Sequence, residues 1–353
     1  MAERVRFCVI GCGRAGAVHA QNLRFTLPTG DLVTLVDPAF DQAQKLAQEL
    51  GVRRFFSSLN EALLAAEFDA VIIATPTFTH AQLIVEAAEA GKHVFTEKPL
   101  CVDLMEAQRI SEALDRAKVK FQVGFMRRFD QSYLRAKELV DRGEIGTPIL
   151  VKSVGRGPGL PPQWYCDFTK SNGLLAEVNS HDFDSLRWFM GREFKTIFAM
   201  AGNFKCPDYA VKYPGFYDTA ALLASFEGGG LGMLDGCCPA KYGYDARMEV
   251  LGETGMIHIG FENAYSFLLR DGEGRVITQG HSSWRTLFRA AYIAELSHFI
   301  DCIVRDEAPK VGLDEGVKAL EAVIAANLSI RTGQPVEVRA VREEVLGKIK
   351  EVQ

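Results

Sequence analysis

Val5-Arg6-Phe7-Cys8-Val9-Ile10-Gly11-Cys12-Gly13-Arg14-Ala15-Gly16 decides the fold. A short apolar run, Val5 to Ile10, leads straight into glycines spaced G-x-G-x-x-G, and a helical pattern opens behind them. A second apolar run, Leu32 to Val36, ends at Asp37, 21 residues after Gly16. Strand, glycine turn, helix, strand and acid in that order describe a dinucleotide-binding βαβ unit. Gly11 turns the chain without a Cβ clash, Gly13 lets the backbone approach a pyrophosphate, and Gly16 lets the helix pack on the strand. The helix start at Arg14, Ala15 and Gly16 offers N–H groups and partial positive charge to phosphates. Asp37 is placed to accept from both adenosine ribose hydroxyls and to repel a 2′-phosphate. Pro38 adds no positive charge, and Arg53 and Arg54 lie well beyond the loop, so NAD is expected rather than NADP.

Outward from this unit, strand and helix keep alternating. Strands are predicted at 5–10, 32–36, 53–56, 69–75, 92–96 and 119–124, with helices near 14–24, 41–50, 59–66, 79–90 and 103–117. Such alternation implies a parallel, doubly wound sheet. The strand from Asp69 runs into Thr75-Pro76, followed by Thr79 and His80. Open α/β sheets bind ligands at the C-terminal edge of their strands, which makes these four residues candidate cofactor contacts.

The texture changes after residue 124. A helix is predicted over 128–143, then period-2 runs at 148–155, 194–204, 217–227, 230–237, 246–252 and 256–260. Glu227-Gly228-Gly229-Gly230 and Asp271-Gly272-Glu273-Gly274 resemble hairpin connections. Helices at 285–305 and 313–331 follow, the second stopped by Gly333 and Pro335. The expected architecture is α/β plus α+β: a Rossmann-type domain at 1–124, a second domain at 125–340 with a large, mostly antiparallel open sheet flanked by helices, and a tail at 341–353 that forms a surface helix.

With 353 residues, of which 48% are hydrophobic, two full cores are affordable in chain length and composition. A formal net charge of −5, without a Lys/Arg-rich run, argues against nucleic acid as a partner. No apolar run approaches bilayer-spanning length, and the chain enters its first strand too soon for a signal sequence. A soluble, cytoplasmic protein is expected. The eight cysteines form no C-x-x-C pair, so buried free thiols are expected and no metal site.

Moving hydrogen between a nicotinamide and an alcohol requires a group that exchanges the alcohol's proton. Two segments supply one. Thr96-Glu97-Lys98-Pro99 directly follows a strand and places an ammonium at the sheet's C-terminal edge, where it can stabilise negative charge on oxygen. Pro99 is a candidate for a cis bond. In the segment from Gly173 to Asp184, Glu177 and His181 stand four apart, on one face of a helix if the segment is helical throughout. Each group also has a plain alternative: a solvated lysine and a core histidine.

Taken together, the glycine motif, Glu97-Lys98-Pro99, Gly124-Phe125-Met126-Arg127-Arg128-Phe129-Asp130 and Glu177-x-x-x-His181-Asp182-x-Asp184 resemble the glucose–fructose oxidoreductase/inositol dehydrogenase (Gfo/Idh/MocA) family. The resemblance runs in order from about residue 5 to residue 335. Arg127 to Asp130 and Lys241-Tyr242-Gly243-Tyr244-Asp245 look most like its inositol 2-dehydrogenase branch. It implies that Lys98 polarises the substrate hydroxyl and that His181 acts as general acid/base. Glu177 stands where the family usually carries aspartate, and Asn179 replaces a residue often small there, implying a differently shaped pocket. Gly11, Gly13, Arg14, Ala15, Gly16, Asp37, Thr75, Pro76, Thr79, His80, Glu97 and Lys98 are the expected cofactor contacts. Lys98, Arg127, Trp164, Glu177 and His181 are the expected substrate contacts. For Arg127 a surface salt bridge is the alternative, and for Trp164 a subunit contact. His281 and Trp284 are assigned to a lid or interface without a chemical role, and His19 to the packing or surface of the first helix.

The implied reaction is NAD-dependent oxidation of a secondary hydroxyl on a cyclic polyol or sugar, with myo- or scyllo-inositol as the best single substrate. The alternatives are a dehydrogenase of another hexose or sugar derivative, an enzyme that recycles bound NAD, and a non-catalytic NAD- or sugar-sensing regulator on the same fold. A homodimer or homotetramer is implied, assembled through the open second sheet.

Overall fold

In the computed structural model, residues 4–160, 162–260, 268–270, 276–278 and 281–343 are described. The chain divides into two compact units: residues 1–129 with 290–320, and residues 130–289 with 321–353.

In the first unit, β1 (Val5–Ile10), α1 (Arg14–Phe25), β2 (Gly30–Val36), α2 (Phe40–Leu50), β3 (Arg54–Phe56), α3 (Leu59–Ala65), β4 (Ala70–Ile73), α4 (His80–Glu89), β5 (His93–Thr96), α5 (Leu104–Ala117) and β6 (Phe121–Val123) alternate along the chain. All strand pairings are parallel, in the order β3-β2-β1-β4-β5-β6. This is the doubly wound Rossmann order, with its switch point between β1 and β4. The strands are apolar because helices cover both faces of such a sheet; Phe7, Val9, Leu35, Ile72 and Phe95 are buried in one cluster. Ser58 and Asp103 cap α3 and α5 by accepting backbone N–H groups. At α1 the chain enters the helix from Gly13, with no side-chain cap.

The second unit contains α6 (Gln131–Asp141), β7 (Pro148–Arg156), α7 (Gln163–Cys166), α8 (Phe168–Ser171), α9 (Gly173–Glu177), α10 (Ser180–Met190), β8 (Phe194–Gly202), α11 (Pro207–Lys212), β9 (Thr219–Phe226), β10 (Leu231–Cys237), β11 (Asp245–Gly252), β12 (Met256–Ile259), β13 (Leu268–Arg270), β14 (Val276–Thr278) and α12 (Trp284–Leu287). In chain order α13 (Arg289–Arg305), α14 (Leu313–Thr332) and β15 (Val336–Glu337) follow. A seven-stranded sheet runs β12-β11-β7-β10-β9-β8-β15, antiparallel except for the parallel β7–β10 pair. Burial alternates along β9 and β11, so one face is packed and the other open. The glycines at 228–230 carry positive φ and link antiparallel β9 and β10. The connection expected at 271–274 and the tail beyond residue 343 lie outside the described residues.

Three local expectations are corrected. Residues 290–320 group with the first unit instead of the second domain. Their apolar side chains explain it: Leu296, Phe299 and Ile300 are buried among Val5, Phe7, Leu23 and Leu32, and Phe299 meets the rings of Phe7 and Phe95. The helix expected over 128–143 starts only at Gln131, because Asp130 caps it by accepting from the N–H groups of Ser132 and Tyr133. Arg127 and Arg128 precede it in a short 3₁₀ turn. Finally, Glu177 and His181 do not share a helix: α9 ends at Glu177, and α10 begins at Ser180.

Candidate active site

The glycine turn has the geometry that its residue types imply. Gly11 sits at φ +93°, and a Cβ there would lie 2.5 Å from the Ala74 carbonyl oxygen. A Cβ on Gly16 would lie 1.7 Å from the carbonyl oxygen of Gly11, so any side chain would separate the turn from its helix. A Cβ on Gly13 would meet nothing within 4 Å. That open space fronts the uncapped start of α1, which fits a pyrophosphate held by backbone N–H groups. Asp37, at the end of β2, accepts from the Cys12 N–H (2.8 Å) and the Ala39 N–H (2.8 Å). Its carboxylate is thereby fixed beside the turn, with lone pairs left for ribose hydroxyls.

Thr75 and Pro76 follow β4. The Thr79 hydroxyl donates to the Pro76 carbonyl at 2.7 Å and lies 2.7 Å from the Thr75 hydroxyl, closing this loop on itself. His80 is turned toward the loops after β4 and β5. It is buried, with Nδ1 2.8 Å from the Pro99 carbonyl oxygen and Nε2 2.9 Å from the Thr75 carbonyl oxygen. Burial draws its pKa below the ordinary histidine range, against the two carbonyls, which favour the cation. The ring therefore braces the loops after β4 and β5 together.

Glu97 is likewise turned inward. Its Oε1 lies 2.7 Å from Nε2 of His19, and both side chains are buried. Burial would raise the Glu97 carboxyl, but the His19 hydrogen bond and the charges of His19, Lys98 and His80 outweigh it and leave it below the ordinary glutamate value. Lys98, one residue on, is only half-buried, and its bond to Pro99 is cis.

In the second unit, His181 lies in the first turn of α10 and is buried. Glu177 is half-buried at the end of α9. Burial, with Cys238 and Glu177 as neighbouring negative influences, pushes the Tyr165 phenol well above its ordinary pKa, which puts the Glu177 carboxylate in its surroundings. Trp164 precedes that tyrosine on α7 and is half-buried. Asn179 corrects another expectation: it faces the sheet instead of a pocket. Its Nδ2 donates to the Gly155 carbonyl (3.0 Å) and to Asp182 Oδ2 (2.8 Å), while Asp182 Oδ1 accepts from the Ser153 hydroxyl (2.6 Å). Gly155 and Gly236, directly paired on β7 and β10, make room for this anchor. Arg127, at 1% exposure, is a buried cation and not a surface residue. The carbonyl of His281 accepts from the Tyr244 N–H, and Trp284 opens the short α12.

The sequence reading gave His19 only a place in the packing or surface of the first helix and did not find Glu295. His19 is the Glu97 partner, and Glu295 on α13 completes a buried trio with them. A histidine three residues after Gly16, on the same helix, was a visible signal; Glu295 had none, because its neighbours are distant in sequence. All eight cysteines are free, and seven are buried. Among the described residues, no helix is long and apolar enough to cross a membrane.

The model of an oxidoreductase family with an NAD-binding Rossmann fold, GFO_IDH_MocA, matches residues 5–125, and the GFO/IDH/MocA C-terminal domain matches residues 133–258. The chain is 37% identical to the scyllo-inositol 2-dehydrogenase (NAD(+)) of Bacillus subtilis, covering 97% of this chain and 98% of that protein. It is 33% identical to a myo-inositol 2-dehydrogenase of Thermotoga maritima, covering 97% and 100%. The crystal structure of Lactobacillus casei scyllo-inositol dehydrogenase with bound NAD(H) and scyllo-inositol superimposes with a TM-score of 0.87 at 28% identity, covering 96% of this chain and all of that one (100%).

Proposed function

The chain belongs to the Gfo/Idh/MocA family of NAD-binding oxidoreductases, and from that premise we propose that it oxidises one secondary hydroxyl of an inositol, scyllo or myo, to the keto-inositol. The observation that carries this reading is the half-buried Lys98 at the C-terminal edge of the sheet whose glycine turn and Asp37 fit NAD. Full-length similarity to inositol 2-dehydrogenases supports the substrate class.

NAD, when bound, supplies the two-electron acceptor for the hydrogen on the carbinol carbon. Lys98 hydrogen-bonds the reacting oxygen and stabilises the negative charge that grows as its proton leaves. His181 takes that proton as general base, so the alcohol gives up the proton to the imidazole and the carbon-bound hydrogen, with both electrons of its bond, as hydride to the bound NAD. Glu177 orients His181 or contacts a neighbouring hydroxyl, and Trp164 contributes apolar surface for a ring face. Glu97 and His80 act behind Lys98, through the loop that carries it. Arg127, which is buried, is a further candidate for a hydroxyl contact.

We also place the protein in the cytoplasm, where eight unpaired cysteines stay reduced, and assign it a homo-oligomeric state. Met200, Leu223, Leu231 and Met233 lie on the open face of neighbouring strands β8, β9 and β10, each at least 40% exposed. An apolar patch of that kind on a sheet marks an interaction surface. A panel of inositols, hexoses and sugar derivatives, assayed for NADH formation, tests the function. Turnover fastest with an inositol supports it, and turnover confined to a non-inositol sugar overturns the substrate class.

A further inference from the structure

His19 on α1, Glu97 at the end of β5 and Glu295 on α13 are all buried, and one ligating atom from each lies within 4.8 Å of the others. The rings of Phe95 and Tyr292 stand edge-on to His19 at 5.1 and 5.7 Å, which keeps water away from the group. Gly124 leaves space for Glu97: a Cβ there would lie 3.3 Å from Glu97 Oε2. Both carboxylate oxygens of Glu295 lack a hydrogen-bond partner among the described residues. An unpaired buried carboxylate is strongly disfavoured, and two facing carboxylates cannot both stay ionised away from water.

We propose that Glu97 and Glu295 hold a single proton between them, with Glu295 as the carboxylic acid and Glu97 as the anion, and that this cluster is the positioning device beneath Lys98. The surrounding charges assign the proton. Glu97 faces His19 from α1 and its own neighbour Lys98, which favour its anion; His80 from α4, which burial disposes toward the neutral ring, adds least. Glu295 faces Glu97 and the same His19, whose hydrogen bond goes to Glu97, and the β6 residue at its backbone, Gln122, is neutral. Burial first, and then the Glu97 charge, holds the Glu295 carboxyl well above the ordinary range. A tetrahedral zinc ion is a poorer occupant. Two ligands on a tetrahedral zinc stand about 3.3 Å apart, whereas His19 and Glu97 are already joined at 2.7 Å.

The consequence for turnover rests on the role of Lys98 proposed above; the proton assignment does not. In the full-length wild type, folding keeps a proton on Glu295 that the unfolded chain releases above the ordinary carboxylate range. Stability therefore falls as pH rises, by up to about tenfold in the unfolding equilibrium per pH unit. Glu295→Gln has no proton to lose, so its stability relative to wild type must climb from about pH 5 to about pH 8. A gap that is constant with pH, or that shrinks, overturns the assignment. Should Glu295→Gln fail to fold, the infrared spectrum of the wild type decides: a protonated-carboxyl stretch at neutral pH is expected, and its absence overturns the proposal. So does a stoichiometric metal ion in the purified enzyme. For the positioning role, Glu295→Gln should recover at least about tenfold of the turnover lost in Glu295→Ala, the factor that 1.4 kcal/mol of transition-state stabilisation represents. Equal loss in both variants removes the link to Lys98.

Discussion

Lys98→Met removes the cation but keeps the bulk of the side chain. On the proposed reading the glycine turn and Asp37 hold the cofactor, so NAD affinity should stay nearly unchanged while turnover drops about 100- to 1,000-fold, the cost of losing one donor to a developing oxyanion. Isothermal titration with NAD beside a steady-state assay separates the two effects. Asp37→Ala acts on the other half of the pair. It frees the Cys12 and Ala39 N–H groups and deletes the ribose acceptor, so NAD binding should weaken by about 2 kcal/mol, the usual worth of hydrogen bonds to a charged group. Discrimination against NADP should relax with it. At this scale the sequence was most legible where a residue's role depends on near neighbours. Gly11 and Gly16 are read from spacing, and at each a Cβ would collide with backbone, as the tight turn requires. For His80 and Glu97 the internal partners were not legible, because motif membership does not say which way a side chain turns. Burial decides that, and the partner of Glu97 lies on the first helix.

The strands of both main sheets and the longer helices of the first unit were mostly legible, since buried parallel strands and period-2 antiparallel strands leave different apolar patterns, whereas the short helices α7, α8 and α11 were not expected. The break between α9 and α10 was not legible either. Nothing local in Glu177-Val178-Asn179-Ser180-His181 forbids a continuous helix; the Asn179 amide pulls the chain out of it by bonding the Gly155 carbonyl on β7. The glycine pair at 155 and 236 is the sheet's half of this arrangement. A Cβ on Gly236 would lie 2.1 Å from Asn179 Oδ1, a buried atom on a side chain already tied at two points. Gly236→Ala should therefore destabilise the protein by about 1–3 kcal/mol through overpacking. A lower denaturant midpoint with an unchanged slope is the signature to measure.

Across the whole molecule, the two-unit plan and the open second sheet followed from alternation giving way to period-2 runs near residue 124. The return of residues 290–320 to the first unit did not, because an apolar helix face carries no address: Phe299 and Ile300 fit any core of suitable volume. The open face of the second sheet is where assembly is proposed. Leu223→Lys and Met233→Lys, substituted together, add charge to that face without touching the packed side. Light scattering should then show the oligomer dissociating to monomers with secondary structure intact. An unchanged mass would move the interface elsewhere.

The account stands or falls on an NADH-formation assay with scyllo- and myo-inositol, run across pH for the wild type and His181→Ala. The wild type should reduce NAD with at least one of the two, faster as pH rises and the base loses its proton. His181→Ala should be slower by about 100- to 10,000-fold, with that pH dependence gone. A wild type that reduces NAD with neither inositol, or a His181→Ala variant that keeps the wild-type rate and profile, would contradict it.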